Sequence, residues 1–124
     1  MLFRSLHEQP DRGQTIFEKL STEMADVGFA FVLLTPDDVG AMASKPRDLH
    51  PRARQNVVFE HGLFVSHLRP NRVCAILRKG VELPSDLHGV LYKIIPDGGG
   101  MRFIALEVVQ ELRAAGYLVD ANKL

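Results

Sequence analysis

The sequence predicts a single α/β domain, residues 1–124, built on a mostly parallel sheet flanked by helices. Three observations carry that prediction. Val27 to Leu34 (VGFAFVLL) is a continuous apolar run rich in β-branched and aromatic residues, short for a buried helix and suited to a central strand covered on both faces. Between Gln14 and Met24 the apolar residues Ile16, Phe17, Leu20 and Met24 recur at three- and four-residue steps, the spacing of one helical stripe. The full order of candidate elements is strand, helix, strand, helix, strand, strand, helix, and such alternation is the signature of parallel strands joined by helical crossovers.

The elements follow in order. Met1 to Leu6 reads as a short strand that runs into the polar turn His7–Gly13, and the first helix covers Gln14 to Met24. Thr35-Pro36-Asp37-Asp38 ends the Val27–Leu34 strand, because proline donates nothing to a sheet ladder. Residues 39 to 50 read as an irregular loop. A second helix opens near Pro51, whose fixed φ suits a first helical position, and runs to about Leu68. Arg72 to Leu77 and Val90 to Ile95 are the remaining strands. A last helix from about Met101 to Ala115 stops at Gly116, and its stripe Leu106, Val109 and Leu112, with Ile104 and Val108 beside it, reads as core.

Composition narrows the function classes. The 124 residues are 46% hydrophobic and 24% charged, enough for one core and too few for a second. Fifteen basic residues balance fifteen acidic ones, which removes the bulk electrostatic case for nucleic acid or anionic membrane as partner. No apolar run approaches the ~20 residues of a bilayer span, and MLFRSLHEQP lacks the apolar stretch and cleavage site of a signal peptide. Cys74 is the single cysteine, so an internal disulfide and a cysteine metal cluster are excluded. These features predict a reduced, cytoplasmic domain. The five histidines show no compact ligand spacing, so no metal is expected.

Ligands of open α/β sheets bind outside the carboxyl ends of the strands. The turns His7–Thr15 and Thr35–Asp38 and the start of the following helix converge there. Within Asn56–Phe64 (NVVFEHGLF), Glu60 is a carboxylate in an apolar helix, with Val57, Phe64 and Leu68 near it on the helical wheel. Such a group loses hydration and needs a compensating partner. Asn56, one turn earlier, can bond to it or to a shared ligand. Glu60 is therefore either a candidate catalytic group or half of a structural pair with Arg47, Arg52 or Arg54. Asp37 and Asp38 can contact ribose hydroxyls or cap the loop. Arg12-Gly13 can approach a phosphate, though Asp-Arg-Gly is also ordinary turn chemistry. Neither a Walker motif nor G-x-G-x-x-G is present. Cys74, inside RVCAIL, reads as core rather than nucleophile.

The segments HEQPDRGQTI, ADVGFAFVLLTPDDVG, PRARQNVVFEHGLFVSHL, RVCAIL and ELPSDLHGVLYKI stand in the order and spacing of bacterial TIR-like domains, which the chain resembles over nearly its whole length. Members of that family have been called predicted nucleotide-binding proteins, and some are effectors of cyclic-nucleotide-gated antiphage defence. The resemblance implies a flavodoxin-like TIR fold and, in active members, cleavage of NAD+ to nicotinamide and ADP-ribose products, with NAD+ as substrate and no further cofactor. It places the catalytic glutamate at Glu60 and the cleft loop at His7–Thr15. It matches the strand-end motif to Thr35, Pro36, Asp37 and Asp38, and the polar helix start to Arg52, Arg54 and Asn56. His61 stands where relatives commonly have leucine. The family's first strand and helix would precede Met1, so Val27–Leu34 is expected to offer an edge that Met1–Leu6 or a second copy covers. By the same reasoning the chain alone is expected to show weak cleavage or none, and to self-associate through TIR surfaces. A nucleotide-binding module without catalysis and a TIR–TIR interaction module are the alternative readings.

Overall fold

The computed structural model describes residues 15–87, 89–120 and 122. The Met1–Leu6 strand, Arg12, Gly13 and His88 lie outside them. Helix α1 (Ile16–Met24) begins where the sequence can satisfy its free backbone donors. The Thr15 hydroxyl accepts the Glu18 N–H at 3.2 Å, and the Glu18 carboxylate accepts the Thr15 N–H at 3.0 Å, a reciprocal capping box. Leu20 and Met24 of the predicted stripe are buried, whereas Phe17 is exposed.

Three parallel strands form the sheet: β1 (Ala30–Leu34), β4 (Val73–Arg78) and β5 (Tyr92–Ile95), in the order β1-β4-β5. Ala30 pairs with Val73 and Leu34 with Leu77, then Ala75 with Tyr92 and Arg78 with Ile95. Alternation divides the side chains between two faces. On one, Val32, Leu34, Val73, Ala75 and Leu77 pack with Ala53 and Val81 beneath helix α2 (Gln55–Leu68), which contributes Val57, Val58, Phe64, Val65 and Leu68. On the other, Cys74 and Ile76 meet Phe29, Ile95, Ile104 and, from helix α3 (Ala105–Ala114), Leu112. Here β1 departs from the expected full cover: Leu33 is 57% exposed, while Leu34 is 1% exposed.

Two polar ties close this second layer. The Arg72 guanidinium donates to the carbonyls of Gly28 (2.9 Å) and Ala115 (3.2 Å), pinning the entry to β1 against the end of α3. Lys93 of β5 donates to Glu111 of α3 at 3.1 Å. Burial disfavours the Lys93 ammonium, but its bond to Glu111 outweighs that, and the pKa ends above the usual lysine value. α3 follows a 3-10 turn at Met101–Phe103 and gives way to Gly116, whose φ of 97° lies in the left-handed region natural to glycine. Val109 and Leu112 are buried as predicted, but Leu106 is 56% exposed and is no part of the core.

The segment read as an irregular loop contains a second, two-stranded sheet. β2 (Asp38–Gly40) pairs antiparallel with β3 (His50–Arg52). Pro51 therefore belongs to a short strand and does not open α2, which starts four residues later at Gln55 behind an extended Arg54. Proline is tolerated there because the ribbon is short and its carbonyl remains useful: it accepts the Glu82 N–H at 2.8 Å.

Candidate functional site

The carboxyl ends of the parallel strands, at Leu34, Arg78 and Ile95, lie on one side of the sheet, the side where open α/β folds bind ligands. β1 leaves through Thr35-Pro36-Asp37-Asp38, all four exposed. The Thr35 hydroxyl donates to the Asp37 carboxylate at 2.6 Å and the Asp37 N–H to the Thr35 carbonyl at 2.8 Å, so the turn is internally braced. Asp38 opens β2, opposite Arg52. Arg52 also forms a parallel bridge with Glu82, in the segment that follows β4. The β2–β3 ribbon is thus tied to the exits of β1 and β4, and α2 departs from it.

Glu60 lies in the second turn of α2 and is half-buried. Among the described residues it makes no hydrogen bond or ion pair, so the pairing with Arg47, Arg52 or Arg54 weighed from the sequence is absent. Arg54 and Asn56 are exposed at the helix start. Asn56 stands one turn before Glu60, and no bond joins the two. The structure therefore gathers Thr35–Asp38, Arg52, Arg54 and Asn56 along the ribbon and its continuation into α2. Arg12 and Gly13 lie outside the described residues.

His61, noted in the sequence only as standing at a leucine position, is buried in the core. It is 1% exposed, the buried residue of α2, and its Nε2 has no hydrogen-bond partner among the described residues. Burial holds its pKa below the usual histidine value. The signal was available in the spacing: Val57, Val58, Phe64 and Val65, three or four residues away on either side, all pack on the core. Cys74 is fully enclosed, and burial pushes its thiol up to about 11, the environment of an inert core cysteine. Among the described residues no group of three His, Cys, Asp or Glu side chains could hold a metal ion, and no helix is long and apolar enough to cross a membrane.

Comparison with known proteins adds the family. The profile described as "CAP12/Pycsar effector protein, TIR domain" matches residues 3–96, a span that runs through β5 and stops before α3. The chain is 47% identical over 120 residues to "Uncharacterized protein YuaY" of Escherichia coli (strain K12), covering 95% of the chain and 38% of that protein. It is 39% identical over 62 residues to CD-NTase-associated protein 12 of Flavobacterium daejeonense, covering 50% of the chain and 19% of that protein. It is 35% identical over 79 residues to Pycsar effector protein PaPycTIR of Pseudomonas aeruginosa, covering 62% of the chain and 25% of that protein. The chain accordingly matches at most 38% of the length of these relatives.

Proposed function

The chain belongs to the CAP12/Pycsar effector TIR-domain family, and on that premise we propose that it is the NAD+-cleaving domain of an antiphage effector, with Glu60 as its catalytic carboxylate. The observation that carries the reading is the Glu60 side chain itself: half-buried on α2, with no bond among the described residues that would commit its charge to the fold.

The chemistry asked of one carboxylate is modest. The bond between nicotinamide and ribose breaks through a transition state with oxocarbenium character, as in glycoside hydrolysis. Nicotinamide departs neutral, taking the bonding pair onto its ring nitrogen, so no strong general acid is needed. A fixed negative charge near the anomeric carbon stabilises the positive charge that develops there. Water then adds to that carbon and loses a proton, giving ADP-ribose. Asp37 or Asp38, at the exit of β1, positions ribose or adenosine hydroxyls, and an arginine on the same side of the sheet meets the diphosphate.

The test is Glu60→Gln, which keeps shape and removes charge. Nicotinamide release is expected to fall at least a hundredfold while the circular dichroism spectrum and NAD+ affinity persist. Loss of folding instead would mark Glu60 as structural. Self-association through like surfaces belongs to the same reading, and light scattering at rising concentration checks it.

A further inference from the structure

Among the described residues two arginines are half-buried, Arg52 and Arg72. Arg72 donates to two backbone carbonyls and is a structural tie. Arg52 donates to nothing: no carbonyl, hydroxyl or carboxylate among the described residues receives its guanidinium. Its main chain is bridged to that of Asp38 on one side and Glu82 on the other, yet neither carboxylate forms an ion pair with it.

The guanidinium is nevertheless seated. A Cβ built on Gly40 would overlap the Nε, Cζ and Nη1 atoms of Arg52, so the side chain crosses the ribbon diagonally and rests on the bare glycine backbone. Gly40 has no positive φ, so its lack of a side chain serves this close approach and not a special backbone conformation. An arginine held flat by packing, with its fork of donors unused, has already lost part of the freedom that binding would otherwise take from it. It stands on the ribbon tied to the exits of β1 and β4, just ahead of α2. Helical rise puts Glu60 about 7.5 Å along the axis from Gln55.

We propose that Arg52 is the cation that receives the diphosphate of the nucleotide, by a forked contact with its oxygens, and that Gly40 is the seat that aims it. The proposal rests on the dinucleotide reading above, and it places the diphosphate on β3, apart from Arg54 and Arg12.

The full chain is titrated calorimetrically with ADP, adenosine and NAD+, beside Arg52→Gln, Arg52→Lys and Gly40→Ala. Gly40→Ala keeps the arginine but pushes its flexible end off the seat, which a backbone without positive φ allows without unfolding. Arg52→Gln is expected to weaken ADP and NAD+ about tenfold to a hundredfold, the worth of charged hydrogen bonds. Arg52→Lys should fall between, Gly40→Ala should move the same way as Arg52→Gln, and adenosine should bind equally to all four proteins. If Arg52→Gln binds ADP as tightly as the wild type, or weakens adenosine equally, the assignment is overturned while NAD+ cleavage through Glu60 still stands. If ADP binding depends on Arg52 but NAD+ is neither bound nor cleaved, the Arg52 site stands and the nucleosidase reading falls. Absence of ADP binding to the wild type at millimolar concentration overturns the Arg52 assignment outright.

Discussion

Replacing His61 by leucine is expected to stabilise the protein by about 1–2 kcal/mol at pH 7.5. The figure follows from two opposed contributions. A buried polar atom without a partner costs about 1–3 kcal/mol, and Nε2 of His61 is such an atom. Refitting a packed position to a new shape returns up to about 1 kcal/mol of that gain. For a chain of this size the net change corresponds to a melting temperature raised by about 4–8 °C. The pH dependence sharpens the test. Burial lowers the His61 pKa in the folded state, so below about 6.5 the unfolded chain binds the proton that the folded chain refuses. Wild-type stability contributed by this group is complete above that pH and falls with acidification, by at most about 1.4 kcal/mol per pH unit, until the folded value is passed. Leucine removes this acid limb. Urea denaturation followed by circular dichroism at pH 7.5 and pH 5 should show the gap between variant and wild type widening at pH 5. A variant less stable than the wild type at pH 7.5, or a gap of equal size at both pH values, would refute the reasoning.

Three further outcomes follow from the packing. Leu34→Ala should cost about 2.5–5 kcal/mol and Leu33→Ala less than about 0.5 kcal/mol, because the two neighbours are 1% and 57% exposed; urea midpoints of the two variants check the strand register. Glu111→Gln should cost about 0.5–1.5 kcal/mol at pH 8 by removing the negative charge that pairs with Lys93 while leaving a neutral acceptor. Since the folded Lys93 pKa is raised, the pair's contribution is whole below the ordinary lysine value of about 10.4 and is lost as pH climbs through the folded value, so the variant should lack that alkaline limb. Cys74, buried and raised to about 11, should resist iodoacetamide at pH 8 in the native protein and react at once in urea.

The parts of the fold legible in the sequence are those whose burial is written as a pattern. The apolar runs Val27–Leu34 and Arg72–Leu77 hold β1 (Ala30–Leu34) and all but the last residue of β4 (Val73–Arg78), though only β4 is covered on both faces. Leu20 and Met24 marked the inner face of α1. The β2–β3 ribbon left no such trace: its strands are three residues long, largely exposed, and one contains proline. Pro51 was read through its preference for helix starts when its place in a short strand prevailed. Of the site, Glu60 was legible as a carboxylate among apolar neighbours, and Thr35–Asp38 as a strand exit. The seating of Arg52 on Gly40 was not, since it depends on the register between residues twelve apart.

The central claim is that the charge of Glu60 drives cleavage of the nicotinamide–ribose bond. It is tested by nicotinamide release under single-turnover conditions, comparing the protein with the same protein carrying Glu60→Gln. Release by the unaltered protein is expected, slowed at least a hundredfold by the substitution, with NAD+ affinity changed less than about threefold, the signature of stabilisation confined to the transition state. Equal release by the two proteins, or a loss traceable entirely to weaker NAD+ binding, would contradict it.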